Sequence, residues 1–170
     1  MTIPKAITAE RLRELMDYNP ATGLFIWKVA RGRGVRPGDE AGYVAKDGRG
    51  RIQVEGRPYL RYRLAWLWMK GEWPANDIDH IDGNPSNDRF SNLRDVTNLV
   101  NSQNRRAPSI AKRVGTLLGT QYRPFQRKKP WNARIQCAGK SFSLGYFATE
   151  QEAHAAYIKA KREMHEGCTL

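Results

Sequence analysis

One short stretch in the middle of the chain combines an acid, an imidazole and several amides. Asp79 and His80 are adjacent, and Asn92, Asn101 and Asn104 follow them. Carboxylate and amide oxygens are the hard ligands that Mg²⁺, Mn²⁺ or Ca²⁺ prefer. An imidazole titrates near neutral pH and can take a proton from water as a general base. These residue types therefore predict a divalent-metal site with a base beside it.

Charge is distributed unevenly along the 170 residues, whose formal net charge is +12. Acidic side chains crowd around the candidate site, at Asp77, Asp79, Asp82, Asp88 and Asp95. Such a cluster repels a polyanionic substrate unless a metal ion lies between the acidic side chains and the substrate. From Val96 to Thr149 there is no Asp or Glu, whereas Lys and Arg recur among aromatic residues. A long run of one sign with interleaved aromatic side chains favours nucleic acid as the partner.

Composition limits the class of protein further. Apolar residues make up 40% of the chain, as in one ordinary folded domain or two small ones. Cys137 and Cys168 are too few for a disulfide framework or a four-cysteine zinc site. No apolar run has transmembrane length, and no signal peptide is present. We expect a cytoplasmic protein without zinc or an organic cofactor. The alternative to nucleic acid as the partner is an acidic protein or an anionic membrane. The lack of a long basic amphipathic helix disfavours the membrane.

The elements before the candidate site are predicted from periodicity and turn residues. Apolar spacing indicates a short amphipathic helix over residues 8–16, which Asp17 to Pro20 end, and a core helix over 63–70. Between the two helices, the pattern predicts a small antiparallel sheet with strands over 23–29, 43–54 and 58–62.

The site itself is predicted as strand, loop, strand and helix. The strands cover residues 77–81 and 90–96, and Thr97 caps a helix over 98–106. Because adjacent residues of a regular strand face opposite ways, Asp79 and His80 can act on one phosphate only if the strand ends or bulges there.

This central segment resembles the HNH homing endonucleases, in the His-Asn-Asn variety of phage and intron-encoded enzymes. The matching motifs are DHIDGN at 79–84, Asn87, NLR at 92–94, VT at 96–97, Asn101 and Asn104, with RLAW at 63–66 and GEWP at 71–74 upstream. The resemblance implies a ββα-metal module that hydrolyses DNA. In it, His80 activates water, Asp79 and Asn101 hold a single divalent ion, and Asn92 braces the loop. Mg²⁺ is the favoured ion, with Mn²⁺ as the alternative. Asn104 is a third ligand, a phosphate contact or a helix cap.

The last third of the chain resembles the DNA-binding domain of the APETALA and ethylene-response-factor family. The residues that carry the resemblance are Gly119-Thr120, WNARI at 131–135, Gly139-Lys140, LGYF at 144–147 and the helix over 149–163. The family implies a three-stranded antiparallel sheet that enters the major groove, with a helix on its back. The predicted DNA contacts are Arg105, Arg106, Arg123, Arg127, Lys128, Lys129, Trp131, Arg134 and Lys140. Trp131 is either a DNA contact or a core residue.

Together these patterns predict an α+β protein with four segments. They are a helix and small sheet over 1–75, an HNH ββα-metal module over 76–106, a basic linker over 107–117 and the APETALA-like domain over 118–166. The predicted activity is metal-dependent hydrolysis of double-stranded DNA by an endonuclease of the homing type. A DNA-binding regulator with a decayed nuclease module is the alternative from another class, and a nuclease acting on RNA is a third.

Overall fold

The computed structural model describes residues 6–32, 34–104, 117–165 and 168. They fall into two compact units, one within Met1–Thr97 and the other within Asn98–Leu170. The described part has four α-helices and four small antiparallel sheets, which confirms the α+β class. No helix in these ranges is long and apolar enough to cross a membrane.

The first unit begins with a capped helix that leads directly into a strand. Helix α1 covers Ala9–Leu15, and the Thr8 hydroxyl accepts a hydrogen bond from the Arg11 amide at its start. Strand β1, Met16–Asn19, then pairs with β2, Leu24–Trp27. The residue pattern predicts 17–20 only as the end of a helix, and β1 is therefore absent from the predicted strands.

A three-stranded sheet and a buried helix follow. The strands are β3, Tyr43–Val44, β4, Gly50–Val54, and β5, Arg57–Leu60, in the order β3-β4-β5. Helix α2 covers Arg61–Lys70 and ends at Gly71, which has a φ of 82°. The predicted start at residue 63 was two residues late, because Arg61 and Tyr62 belong to the helix and not to the strand before it.

The candidate site lies on the hairpin that comes next. Strand β6, Asp77–His80, pairs with β7, Leu93–Val96, and a 3-10 turn over Phe90–Asn92 precedes β7. This turn explains why the second strand begins later than residue 90. Ile78 and Leu93 lie in the same hydrophobic core as the residues of α1 and α2. The hairpin is therefore packed on the N-terminal elements.

The second unit contains a helix and a sheet covered by another helix. Helix α3 covers Asn98–Gln103, and β8, Thr120–Tyr122, β9, Trp131–Cys137, and β10, Lys140–Phe147, form the antiparallel order β10-β9-β8. Helix α4, Glu150–Met164, begins with a capping box between Thr149 and Glu152. A three-stranded sheet with one helix packed on it is thus observed, as predicted. The predicted linker, apart from Leu117, lies outside the described residues.

Packing fixes which face of this sheet α4 covers. Ile135 of β9 packs with Tyr157 and Ala160 of α4. Because alternate residues of a strand share a face, the exposed Arg134 next to Ile135 points away from the helix.

Candidate active site

The loop between β6 and β7 is held in shape by the Asn92 side chain. Its Oδ1 accepts a hydrogen bond from the Asp82 amide at 3.0 Å, and its Nδ2 donates to Asp82 Oδ1 at 3.0 Å and to the Asn87 carbonyl at 2.8 Å. The main chain closes the same loop, since the Ile81 amide donates to the Asn92 carbonyl at 2.9 Å. Asn92 thus connects both ends of the loop that follows His80.

The carboxylate of Asp82 is the second fixed point of this loop. It accepts from Asn87 Nδ2 at 2.6 Å and from the Asn84 amide at 2.8 Å, in addition to Asn92. Partial burial alone would raise the pKa of Asp82, but these hydrogen bonds outweigh it and hold the pKa below its ordinary value. Asp82 is therefore an ionised hydrogen-bond acceptor in the turn.

His80 lies at the last position of β6 with its imidazole held on several sides. The residue is 8% exposed, and its Nε2 lies 2.9 Å from Asp88 Oδ1. The other oxygen of that carboxylate, Oδ2, accepts from Arg61 Nε at 2.6 Å. The Tyr62 ring meets the imidazole edge-on, with 5.1 Å between ring centroids. Burial also raises the pKa of Tyr62, so its hydroxyl stays neutral at physiological pH.

Asp79, although adjacent to His80, has a different partner. Its Oδ2 accepts from Arg94 Nε at 3.0 Å and from Arg94 Nη2 at 2.7 Å. The two residues are paired across the β6–β7 ladder. Asp79 and His80 thus have different hydrogen-bond partners, Arg94 and Asp88. The strand ends at His80, which is one of the two conditions set for convergence.

The predicted ligand residues can be compared with the ligands that a divalent ion binds. No group of three or more His, Cys, Asp or Glu side chains that could hold a metal occurs within the described ranges. One carboxylate oxygen with an amide fits an ion such as Mg²⁺, which binds through one or two protein ligands and keeps waters and substrate phosphates in its shell.

The two remaining predicted ligands belong to the second unit. Asn101 lies in α3, and Asn104 directly follows that helix and is 4% exposed. Their participation in one site with Asp79 stays a prediction, as does the catalytic contribution of Asn92.

The predicted DNA contacts of the second unit are mostly exposed. Arg134 is exposed on the face away from α4, and Arg127, Lys128, Lys129 and Lys140 are exposed in the segments that flank β9. Arg123 is half-buried and donates to Gln121. Arg105 and Arg106 lie outside the described residues.

Trp131 was assigned two alternatives, a DNA contact or a core residue. It lies on the same face as Ala133 and Ile135, the face that α4 covers, and its ring contacts Tyr122 at 5.1 Å between centroids. The DNA contact itself stays a prediction.

Sequence reasoning missed the partners of the two central side chains, Arg94, Asp88 and Arg61. One signal was available for Arg61. Arg61, Leu64 and Leu67 recur every three residues on one helix face, and all three are buried. A buried arginine requires an acceptor, and the structure supplies Asp88, which is distant in sequence.

Comparison with known proteins finds a family match for the segment around this site. Residues 59–103, from β5 through α3, match the family model of the HNH endonuclease. No match was found among curated proteins or solved structures. The matched segment contains Asp79, His80, Asn92 and Asn101, and HNH nucleases generally use a divalent metal ion. Over residues 59–103 the chain is therefore similar to an HNH endonuclease domain, which supports a nuclease that hydrolyses nucleic acid.

Proposed function

We propose that the protein is a metal-dependent endonuclease of the homing type that hydrolyses double-stranded DNA. The observation that carries the proposal is the position of His80. Within the segment that matches the HNH endonuclease, it ends strand β6, its ring is fixed by Asp88 and Tyr62, and the loop after it is braced by Asn92. A fixed imidazole at a strand end is suited to general-base catalysis.

In this mechanism His80 takes a proton from a water molecule. The water oxygen then bonds to phosphorus as the bond from phosphorus to the leaving oxygen breaks. Asp79 and Asn101 would hold one divalent ion, with Asn104 as a further candidate ligand, and Mg²⁺ suits their oxygen donors. When bound, the ion supplies positive charge to the phosphate and the leaving oxygen. Arg94 already donates two hydrogen bonds to Asp79, so metal and Arg94 must share this carboxylate.

The second unit provides the binding surface in this proposal. Its exposed arginines and lysines carry positive charge without neighbouring acids from Val96 to Thr149. Phosphate contacts of this kind give affinity and orientation, and base contacts from the sheet give sequence preference. Duplex DNA is favoured over RNA because the deep, narrow major groove of RNA does not admit a sheet. Such an enzyme would act in the cytoplasm of a bacterial or phage-infected cell.

A second candidate function is DNA binding without cleavage. The observation that favours it is the pair of hydrogen bonds that Arg94 donates to Asp79 Oδ2. A guanidinium on the predicted metal ligand lowers the affinity of that carboxylate for a cation. The two candidates differ in whether Mg²⁺ produces cleavage.

Cleavage of supercoiled plasmid DNA tests the proposal. With Mg²⁺, the wild type should convert it to nicked or linear products, and a chelator should stop the reaction. His80→Ala should slow cleavage by about 10²- to 10⁴-fold, the usual contribution of a general base, with little change in DNA affinity. His165→Ala, a histidine at the end of α4, serves as the control and should cleave normally. Cleavage by His80→Ala within tenfold of the wild-type rate would contradict the role of His80. An inactive wild type that still binds DNA would support the second candidate.

A further inference from the structure

One buried carboxylate holds the His80 ring but is assigned no effect on its protons in the mechanism above. Asp88 lies in the loop between β6 and β7, and its side chain is 0% exposed. It lies between two nitrogen atoms, Arg61 Nε at 2.6 Å from Oδ2 and His80 Nε2 at 2.9 Å from Oδ1. The Arg61 side chain is itself only 5% exposed. The three groups form a line of contacts from helix α2 to the end of β6.

We propose that Asp88, fixed by Arg61, is a positioning residue that keeps the His80 proton on Nε2 and thereby makes Nδ1 the basic nitrogen. This inference rests on the proposed function, since it concerns the base of the same reaction. A carboxylate bound to a guanidinium offers only acceptors. The imidazole can therefore meet Asp88 Oδ1 only through an Nε2–H donor. In the neutral ring the lone pair then lies on Nδ1.

Arg61 also removes the freedom of Asp88 to turn. Its guanidinium has donors and no acceptor, so the atom of residue 88 that faces Nε must be an oxygen. The main chain near Asp88 is fixed as well, because its carbonyl accepts from the Tyr18 hydroxyl at 2.7 Å. Arg61 further donates to the Ser86 carbonyl at 3.3 Å. The orientation of the carboxylate is thus determined on the side opposite His80.

The proton balance of the reaction is consistent with this arrangement. The water proton goes to Nδ1, while the Nε2–H bond to Asp88 Oδ1 stays intact. The imidazolium that forms then lies against a carboxylate, which stabilises the new positive charge. The leaving oxygen takes a proton from solvent, and after the product leaves, Nδ1 returns its own proton to solvent while Nε2 keeps its proton.

The tautomer can be measured on the unmodified protein. In a ¹⁵N-histidine sample at mildly alkaline pH, the nitrogen spectrum distinguishes a ring protonated at Nε2 from one protonated at Nδ1. The chain has three histidines, and loss of a signal set in His80→Gln assigns that of His80. We expect Nε2–H. An Nδ1–H tautomer, or rapid exchange between both, overturns the inference without any use of nuclease activity.

Asp88→Asn tests the consequence for catalysis. Because Arg61 requires the amide oxygen, the amide NH₂ would face His80 Nε2 and force the proton onto Nδ1. Single-turnover cleavage at saturating protein should fall by about 100-fold or more, with unchanged DNA affinity and the Nδ1–H spectrum. Asp17→Asn, an exposed aspartate 3.6 Å from Lys28, removes the same charge and should leave cleavage unchanged. A folded Asp88→Asn that cleaves at the wild-type rate overturns the inference, while an inactive wild type refutes the proposed function instead.

A double variant separates tautomer control from loss of structure. In Arg61→Met with Asp88→Asn, the guanidinium no longer dictates the orientation of the amide. The amide oxygen can then turn to His80, so Nε2–H should return and cleavage should rise by about tenfold over Asp88→Asn. Buried ion pairs often tolerate apolar replacement. A folded double variant that keeps the Nδ1–H spectrum contradicts the role of Arg61. If neither variant folds, the tautomer of the wild type decides.

Discussion

At the scale of single residues, Asn92 is the side chain whose loss should affect structure and activity together. Its amide makes three hydrogen bonds within the loop after His80, and the residue is 9% exposed. Asn92→Ala leaves the Asp82 amide and the Asn87 carbonyl without these partners. We expect the free energy of unfolding to fall by about 1–3 kcal/mol, measured by denaturant titration, and cleavage to fall as well.

Asn87→Ala is the matched control in the same loop. Its side chain donates a single exposed hydrogen bond, to Asp82 Oδ2. The expected loss is about 1 kcal/mol or less. If Asn92→Ala lost activity while keeping the wild-type stability, Asn92 would act on the substrate or metal and not as a brace.

Sequence patterns predict single site residues but not the side chains that contact them. The motif spacing predicted Asp79, His80 and Asn92 as site residues, and the alternation of a strand made the convergence of Asp79 and His80 depend on where β6 ends. Their partners were not identified. Arg61 and Asp88 are 27 residues apart, and a pairing across that distance depends on how α2 packs on the hairpin. Local periodicity contains no information about it.

At the scale of elements, helices with local signals were predicted most closely. Thr8 and Thr149 accept hydrogen bonds at the starts of α1 and α4, as their residue types indicate. Strand β1 was missed because its four residues follow the helix without a turn. Pairing with β2 sets the conformation of β1, and the four residues of β1 alone do not indicate that pairing.

A glycine before β8 permits the packing of α4 on the C-terminal sheet. Gly119 has a φ of +81°, and a Cβ there would overlap the Tyr157 ring of α4. Gly119→Ala should therefore combine backbone strain with overpacking, which together cost about 2–5 kcal/mol. Thermal unfolding followed by circular dichroism should show a lower transition temperature for the second unit.

Gly139 provides the control for the strain alone. It lies between β9 and β10 with a φ of +76°, and a Cβ there would meet nothing within 4 Å. Gly139→Ala should cost only about 1–2 kcal/mol. Equal effects of the two substitutions would show that contact with Tyr157 contributes little to the packing of α4.

At the scale of the whole molecule, the acids and the unopposed bases occupy different parts of the sequence. The aspartates of the candidate site lie between Asp77 and Asp95, whereas the acid-free span begins at Val96. Chemistry and binding affinity should therefore be separable by substitution. The lysines that flank β9 are exposed, so their removal can weaken contacts with phosphates while leaving His80 and Asp79 in place.

Replacing Lys128, Lys129 and Lys140 with Gln in the full chain tests this separation. Each phosphate contact adds about 0.9 to the slope of log affinity against log salt concentration, so the slope should fall by up to ~2.7. Cleavage at low salt and saturating protein should persist, since the base and its partners lie in the first unit. A second triple variant, Lys28, Lys46 and Lys70 to Gln, removes the same charge from exposed positions of the first unit. It should change the slope much less. Equal flattening by the two variants would mean that net charge, and not the surface around β9, determines how the protein binds DNA.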